Sequence, residues 1–111
     1  MSVTRTFTVT VANAGGNKYF IDGVQQATLN LAENGTYKFD QSDSSNSNHP
    51  LRFSTTSGGT HSGGSQYTTG VTTNGSPGNA GAYTQITVAE SAPTLYYYCT
   101  AHSGMGGQAN T

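Results

Sequence analysis

Short stretches in which apolar and polar residues alternate constrain the fold of this chain more than any other feature. Phe7, Val9 and Val11 alternate with threonines, which is the period-two pattern of a strand with one buried face. Similar stretches recur between breaks rich in Gly and Asn, and none has the 3.6-residue period of a helix. The sequence predicts about seven strands, at residues 6–11, 19–21, 28–31, 36–40, 51–54, 83–88 and 94–99. This pattern indicates an all-β, antiparallel two-sheet sandwich.

Composition favours the same fold class and excludes several functions. Gly, Ser, Thr and Asn make up about half of the 111 residues, and Leu and Ala are too scarce for a helical protein. Charged residues are 8% of the chain and the net charge is -1, so no basic patch is available for nucleic acid or an anionic membrane. No stretch approaches the ~20 apolar residues of a membrane span. We expect a single domain over residues 1–111 that neither binds nucleic acid nor inserts into a membrane.

A group of potential metal ligands lies near the end of the chain. Cys99, His102 and Met105 form the pattern Cys-x2-His-x2-Met, which contains the only cysteine and the only methionine after Met1. Thiolate and thioether sulfur favour cuprous copper, and imidazole accepts both copper oxidation states. The aromatic run before Cys99 predicts a strand, and the glycine-rich residues 103–107 predict a tight turn. A strand and the loop after it would therefore present all three ligands together.

A further ligand can come from a distant segment, because His49 immediately precedes Pro50 and the predicted strand 51–54. With this histidine, the pattern Tyr-x-Tyr-Cys-x-x-His ending at His102, and Met105, the chain resembles the cupredoxins, the type 1 blue copper proteins. The ligand loop is most similar to those of amicyanin and plastocyanin. The resemblance implies that His49, Cys99 and His102 bind one copper ion in a trigonal plane, with Met105 as a weak axial ligand.

The resemblance also implies a Greek-key order of strands and a function. A cupredoxin carries one electron to or from a redox partner protein and has no enzymatic activity, and we expect a monomer. The alternative is a structural or attachment module of a larger surface or viral appendage protein, with copper binding retained or vestigial. We expect a periplasmic or extracellular location, or a virion-associated one, although the first residues lack the apolar core of a signal peptide.

One part of the chain departs from the family pattern. Cupredoxins have a strand after the axial methionine, but only residues 106–111 remain here and they bring little apolar surface. We therefore expect the final strand to be short or missing. Together with the composition, this ending favours a chain excised from a longer protein.

Other interpretations of the candidate ligands remain open. Cys99 alone would be read as a small buried hydrophobe and His102 alone as a loop histidine. Structural zinc is a weaker match, because such sites use Cys and His without a thioether. A cysteine nucleophile would need an orienting partner and an oxyanion-binding loop, and we find neither in the sequence. His61, between glycines, is interpreted as a solvated loop residue.

Multicopper oxidases provide a further comparison, because they carry His-Pro-x-His-x-His at a type 1 site. Here Arg52 and Ser54 occupy the positions of the second and third histidines. The residues that flank the cysteine are Tyr98 and Thr100, where those enzymes have histidines. The ligands of a trinuclear cluster are absent, so we expect no oxygen reduction at a second copper site.

Overall fold

The computed structural model describes residues 3–111 as two β-sheets packed against each other. In chain order the strands are β1 (Arg5–Asn13), β2 (Asn17–Ile21), β3 (Val24–Gln25), β4 (Leu29–Asn30), β5 (Thr36–Asp40), β6 (Leu51–Ser54), β7 (Gln66–Tyr67), β8 (Val71–Asn74), β9 (Tyr83–Thr87), β10 (Leu95–Cys99) and β11 (Gly107–Asn110). Two 3₁₀ turns, Ser44–Asn46 and Gly59–Ser62, lie between strands. Within the described residues, no helix has the length and apolar character needed to cross a membrane.

The strand order confirms the predicted all-β sandwich. One sheet has six strands in the order β3-β2-β1-β5-β9-β8, and the other has five in the order β4-β11-β10-β6-β7. All seven predicted strands are present, as β1, β2, β4, β5, β6, β9 and β10. The additional strands β3, β7, β8 and β11 contain only two to four residues each. Each of these four segments contains at most one apolar side chain, so no period-two alternation marks it.

Two strand pairs make the sheets mixed, whereas the sequence predicted purely antiparallel sheets. β1 pairs with β5 in parallel, and β11 pairs with β4 in parallel. After β3 the chain crosses to the second sheet as β4 and returns to the first as β5, and a parallel pair requires such a crossover. The prediction of strand direction was wrong at these two pairs because hydrophobic alternation carries no information about direction.

The core lies between the sheets and consists of the alternate, inward-facing residues of each strand. On β1, Phe7 and Val9 are buried and the intervening Thr8 is exposed. Phe39 on β5 packs edge-on against Phe53 on β6, with the ring centroids 5.4 Å apart, so the two sheets interdigitate. Full burial of an apolar side chain of this kind stabilises a fold by about 1.5–3 kcal/mol. Cys99 is one of the inward-facing residues of β10 and belongs to this core.

The last strand is short, as expected, and it completes the second sheet. β11 pairs antiparallel with β10 and in parallel with β4, so it lies between them. Ala109 is its one fully buried residue and packs in the core. Since this strand contributes so little apolar surface, backbone hydrogen bonding on both sides is its main attachment to the sheet.

Gly106 lies just before β11, where the backbone of β10 comes very close. A Cβ atom at Gly106 would overlap with the carbonyl oxygen of Tyr97 and lie 3.0 Å from the Cα of Tyr98. Because these obstacles are backbone atoms, Gly106→Ala must displace one of the two strands. We expect the substitution to lower the free energy of unfolding in urea by about 3 kcal/mol or more.

Gly63→Ala provides the matched control for this prediction. A Cβ atom at Gly63 meets nothing within 4 Å, but its φ of +83° is strained for any other residue. The control should therefore lose only about 1–2 kcal/mol. Equal losses in the two variants would contradict the close backbone approach at Gly106.

Candidate metal centre

Strand pairing brings His49 and Cys99 together although 50 residues separate them in sequence. β6 and β10 pair antiparallel with Cys99 opposite Leu51, and His49 lies two residues before Leu51. Cys99 ends β10, so His102 follows in the next loop. The ligand atoms of His49, Cys99 and His102 all lie within 4.8 Å of one another. We refer to these three residues as the His-Cys-His cluster.

The two imidazole rings of the cluster both present Nδ1 to the cysteine sulfur. Cys99 Sγ lies 3.7 Å from His49 Nδ1 and 3.9 Å from His102 Nδ1. Ordinary metal–sulfur and metal–nitrogen bonds at trigonal or tetrahedral angles would separate such ligand atoms by about 3.6–3.8 Å. The two sulfur–nitrogen distances are therefore close to those that a single metal ion requires, and the cluster could hold one.

Burial differs strongly among the three side chains. Cys99 is fully buried and forms no disulfide, and His49 is 8% exposed. His102 is exposed at the surface. A metal ion held by the cluster would thus be shielded on the Cys99 side and close to solvent on the His102 side.

The electrostatic environment favours the form of His49 that binds metals. Burial lowers the pKa of His49 below its ordinary value of 6.5, and the neighbouring His102 lowers it further. At neutral pH the ring is therefore uncharged and has one unprotonated nitrogen. A metal ion needs that free lone pair, since a proton and a metal compete for it.

Buried polar side chains hold the backbone at His49 in place. Its carbonyl oxygen accepts hydrogen bonds from the Tyr19 hydroxyl at 2.6 Å and from the Gln41 side-chain amide at 2.7 Å. Gln41 Oε1 accepts the backbone N–H of Leu51 at 3.0 Å. The side chain of Asn46 accepts a hydrogen bond from Gln41 and donates one to the backbone of β1. These hydrogen bonds attach the segment from Asn46 to Leu51, which contains His49, to the core.

Tyr19 also lies close to the cluster itself. Burial raises the pKa of its hydroxyl well above the usual range, and the nearby Cys99 raises it further. The hydroxyl therefore stays protonated and keeps its role as a donor to the His49 carbonyl.

A second set of contacts holds the loop that carries Met105. Lys18 Nζ and the Gln26 side-chain amide both donate to the carbonyl oxygen of Gly104, at 2.9 and 3.2 Å. The backbone N–H of Tyr19 donates to the carbonyl oxygen of Met105 at 2.9 Å. The Met105 side chain is 1% exposed and belongs to the core. Its role as a fourth ligand stays a prediction.

His61, for which the sequence predicts only a solvated loop position, is exposed but makes two specific contacts. Its Nε2 lies 2.8 Å from the carbonyl oxygen of Cys99, and its ring packs edge-on against Tyr98. Gly58 and Gly63 adopt the left-handed conformation at the two ends of this turn. Glycine adopts that conformation without strain, so these glycines determine the path of the loop and do not simply make it flexible.

Several residues that support the cluster were not identified from the sequence. Gln41 and Asn46 lie in the polar segment 41–48, where their amides look like those of any solvated loop. The one available signal is that this segment leads directly into His49. Nothing in the sequence distinguishes Tyr19 from an ordinary strand residue, so its contact with His49 could not be predicted.

Comparison of the chain with protein-family models, with curated proteins and with solved structures gives no match. The resemblance to cupredoxins therefore depends on the motif residues alone. Independent support for a metal site comes from the geometry of the His-Cys-His cluster.

Gln41 offers a test of the buried network. Gln41→Leu keeps the side-chain volume but leaves the Leu51 N–H and part of the Asn46 amide without partners in the core. Each unsatisfied buried group costs roughly 1–3 kcal/mol, so we expect the free energy of unfolding in urea to fall by about 2–4 kcal/mol. Gln25→Leu, at an exposed position of β3, should change it by less than about 0.5 kcal/mol. Similar small losses in both variants would show that the network is not needed.

The lowered pKa of His49 makes stability depend on pH. In the unfolded chain this histidine titrates near 6.5, whereas folded His49 takes up its proton only at lower pH. The unfolded state therefore binds more protons below about pH 6.5, and the metal-free protein loses stability as the pH falls through the folded pKa. Urea unfolding between about pH 7 and pH 5 should show a steeper loss for the wild type than for His49→Gln. An unchanged slope in the variant would assign the effect to other groups.

Proposed function

We propose that this chain is a cupredoxin-like protein that binds one copper ion and carries one electron. The observation that carries the proposal is the convergence of Cys99 Sγ with two imidazole Nδ1 atoms at metal-ligand spacing. A thiolate with two imidazoles is the donor set of blue-copper electron-transfer sites, which add a weak axial methionine. Met105 is buried in the same core as Cys99 and is the methionine we assign to that position.

Copper suits this donor set better than zinc does. A zinc ion would accept the same three donors, but structural zinc sites are closed by a fourth Cys or His. Among residues 3–111, the His-Cys-His cluster is the one such group of potential ligands, and it contains no fourth member of those types. Thioether sulfur favours cuprous copper, so the adjacent methionine supports copper.

In this proposal the protein holds the copper ion and orients the ligand side chains, and the copper ion would supply the one-electron redox couple. The network of Gln41, Asn46 and Tyr19 fixes the backbone of His49. The end of β10 fixes Cys99 through the strand ladder. A ligand frame held this firmly moves little between oxidation states, which keeps the reorganisation that accompanies electron transfer small.

The surface near His102 suggests how a redox partner protein would approach. His102 is exposed, and its neighbours Ser103 and Gly104 are small and uncharged. In the described part of the chain, the one cation bonded to this loop is Lys18, at the Gly104 carbonyl. The whole chain has only four basic and five acidic residues, so long-range electrostatic steering would be weak. We propose a monomeric, non-enzymatic carrier that works in a periplasmic, extracellular or virion-associated setting.

A second candidate function is a structural or attachment module of a larger surface or viral appendage protein. The composition favours it, because Gly, Ser, Thr and Asn fill about half of the chain. In that case the fold would serve assembly and copper binding would be retained or vestigial. A copper titration separates the carrier from a module in which copper binding has been lost.

Addition of cupric salt should produce an intense visible absorption band from charge transfer between the Cys99 thiolate and copper, and reduction should abolish it. Cys99→Ser should abolish the band because it removes the sulfur donor. Met105→Leu should keep the band and change the reduction potential, because the axial ligand tunes the potential of such sites. Absorption spectroscopy and voltammetry provide the two measurements.

Cys99→Ser also serves as the control for nonspecific copper binding. A colourless wild type that binds cupric ion no better than Cys99→Ser would reject the copper carrier and favour the structural module. A wild type that binds zinc far more tightly than copper would favour a zinc site.

A further inference from the structure

The 3₁₀ turn Gly59–Ser62 covers the outer face of β10 next to the metal centre. Gly58 and Gly63 flank it with φ values of 82° and 83°. Gly59 lies so close to the Tyr98 ring that a Cβ atom there would be 2.5 Å from it. The turn is thus packed directly on the residue before Cys99, and its position is set by side-chain and backbone contacts.

His61 projects from this turn to the end of β10. Its ring stands nearly perpendicular to the Tyr98 ring, with an interplanar angle of 84° and a centroid distance of 6.3 Å. Its Nε2 lies 2.8 Å from the Cys99 carbonyl oxygen. A carbonyl oxygen can only accept a hydrogen bond, so Nε2 carries the proton and donates.

Both the carbonyl and the N–H of the peptide unit between Cys99 and Thr100 consequently form hydrogen bonds. Its carbonyl accepts from His61, and its N–H, which belongs to Thr100, donates to the carbonyl oxygen of Pro50 at 3.2 Å. Pro50 directly follows the ligand His49. One peptide plane therefore connects the turn 59–62, the Cys99 ligand and the segment that carries His49.

This peptide lies where the ordered strand gives way to the loop. The three-residue path to His102 starts here, and rotation of the peptide would shift His102 Nδ1 relative to Cys99 Sγ. Metal affinity depends on how firmly the groups behind the ligands hold them in position.

We propose that His61 is a positioning residue of the metal centre, which sets the spacing of Cys99 and His102 by holding the Cys99 carbonyl. This inference rests on the proposed metal-binding function for its consequence, but the hydrogen bond can be tested without metal. It replaces the solvated-loop interpretation of His61. The alternative is that the ring only packs against Tyr98 and that the hydrogen bond contributes nothing.

Two substitutions separate these roles. His61→Phe keeps an aromatic ring against Tyr98 but has no donor. His61→Gln loses the ring but places an amide N–H at a similar distance from the backbone. Thr60→Ala, at an exposed position of the same turn, serves as the control.

The first measurement is hydrogen exchange of the Thr100 amide in the metal-free protein. His61→Phe should exchange about threefold to tenfold faster, the factor expected for one net hydrogen bond. His61→Gln and Thr60→Ala should stay near the wild type, and amides in the ladder between β6 and β10 should not change in any variant. Unchanged Thr100 exchange in His61→Phe, or equal acceleration of the whole ladder, would overturn the proposal.

The second measurement is cupric ion affinity, together with the energy of the thiolate-to-copper band. His61→Phe should bind about threefold to tenfold more weakly and shift the band, and His61→Gln should restore both. If the wild type binds copper and His61→Phe matches it in affinity and spectrum, the positioning role is overturned. If the wild type binds no copper but Thr100 loses protection in His61→Phe, the copper function fails and the structural assignment of His61 stands.

Discussion

The antiparallel register of β6 and β10 is the constraint on which the His-Cys-His cluster depends. It places Cys99 opposite Leu51, and so brings His49 beside a residue 50 positions away. A slip of one residue would turn Cys99 from the core to the outer face, because side chains alternate along a strand. Register is strongly specified here, since Tyr97 and Phe53 form an adjacent pair in the same ladder and both are buried. The packing of the core thus determines the spacing of the ligands.

Burial of polar side chains costs free energy, so the buried polar network around His49 requires an explanation. Gln41 and Asn46 are 1% and 0% exposed. Burial of their amides destabilises the fold unless the amides form hydrogen bonds within the protein. They are bonded to each other, to the His49 carbonyl and to the backbone of neighbouring segments. A satisfied network of this kind specifies one geometry, whereas an apolar core would allow several packings. The network therefore fixes the position of His49 within the His-Cys-His cluster.

The sequence predicted the parts of this structure that are encoded locally. Alternation of apolar residues identified β1 and β9, and the pattern Cys-x2-His identified Cys99 and His102, which the structure places in one cluster with His49. The pairing of β1 with β5 and the bond between His61 and the Cys99 carbonyl could not be predicted, because each joins segments far apart in the chain. A histidine between glycines looks the same in sequence whether its loop is free or packed on a strand. The amides of segment 41–48 pose the same problem, since burial alone distinguishes a structural amide from a solvated one.

The burial of each member of the His-Cys-His cluster also determines from which side solvent, a metal ion or a partner can reach it. Cys99 is a free thiol with no exposed surface, and a thiol that reagents cannot reach is protected from oxidation while the metal is absent. A metal ion must then arrive from the side of His102, the one exposed member of the cluster. Under the proposed function a redox partner would approach the same face, which carries the small residues Ser103 and Gly104 and the ammonium of Lys18. Metal loading and electron exchange would therefore use one surface, and the firmness of the loop behind His102 would matter for both.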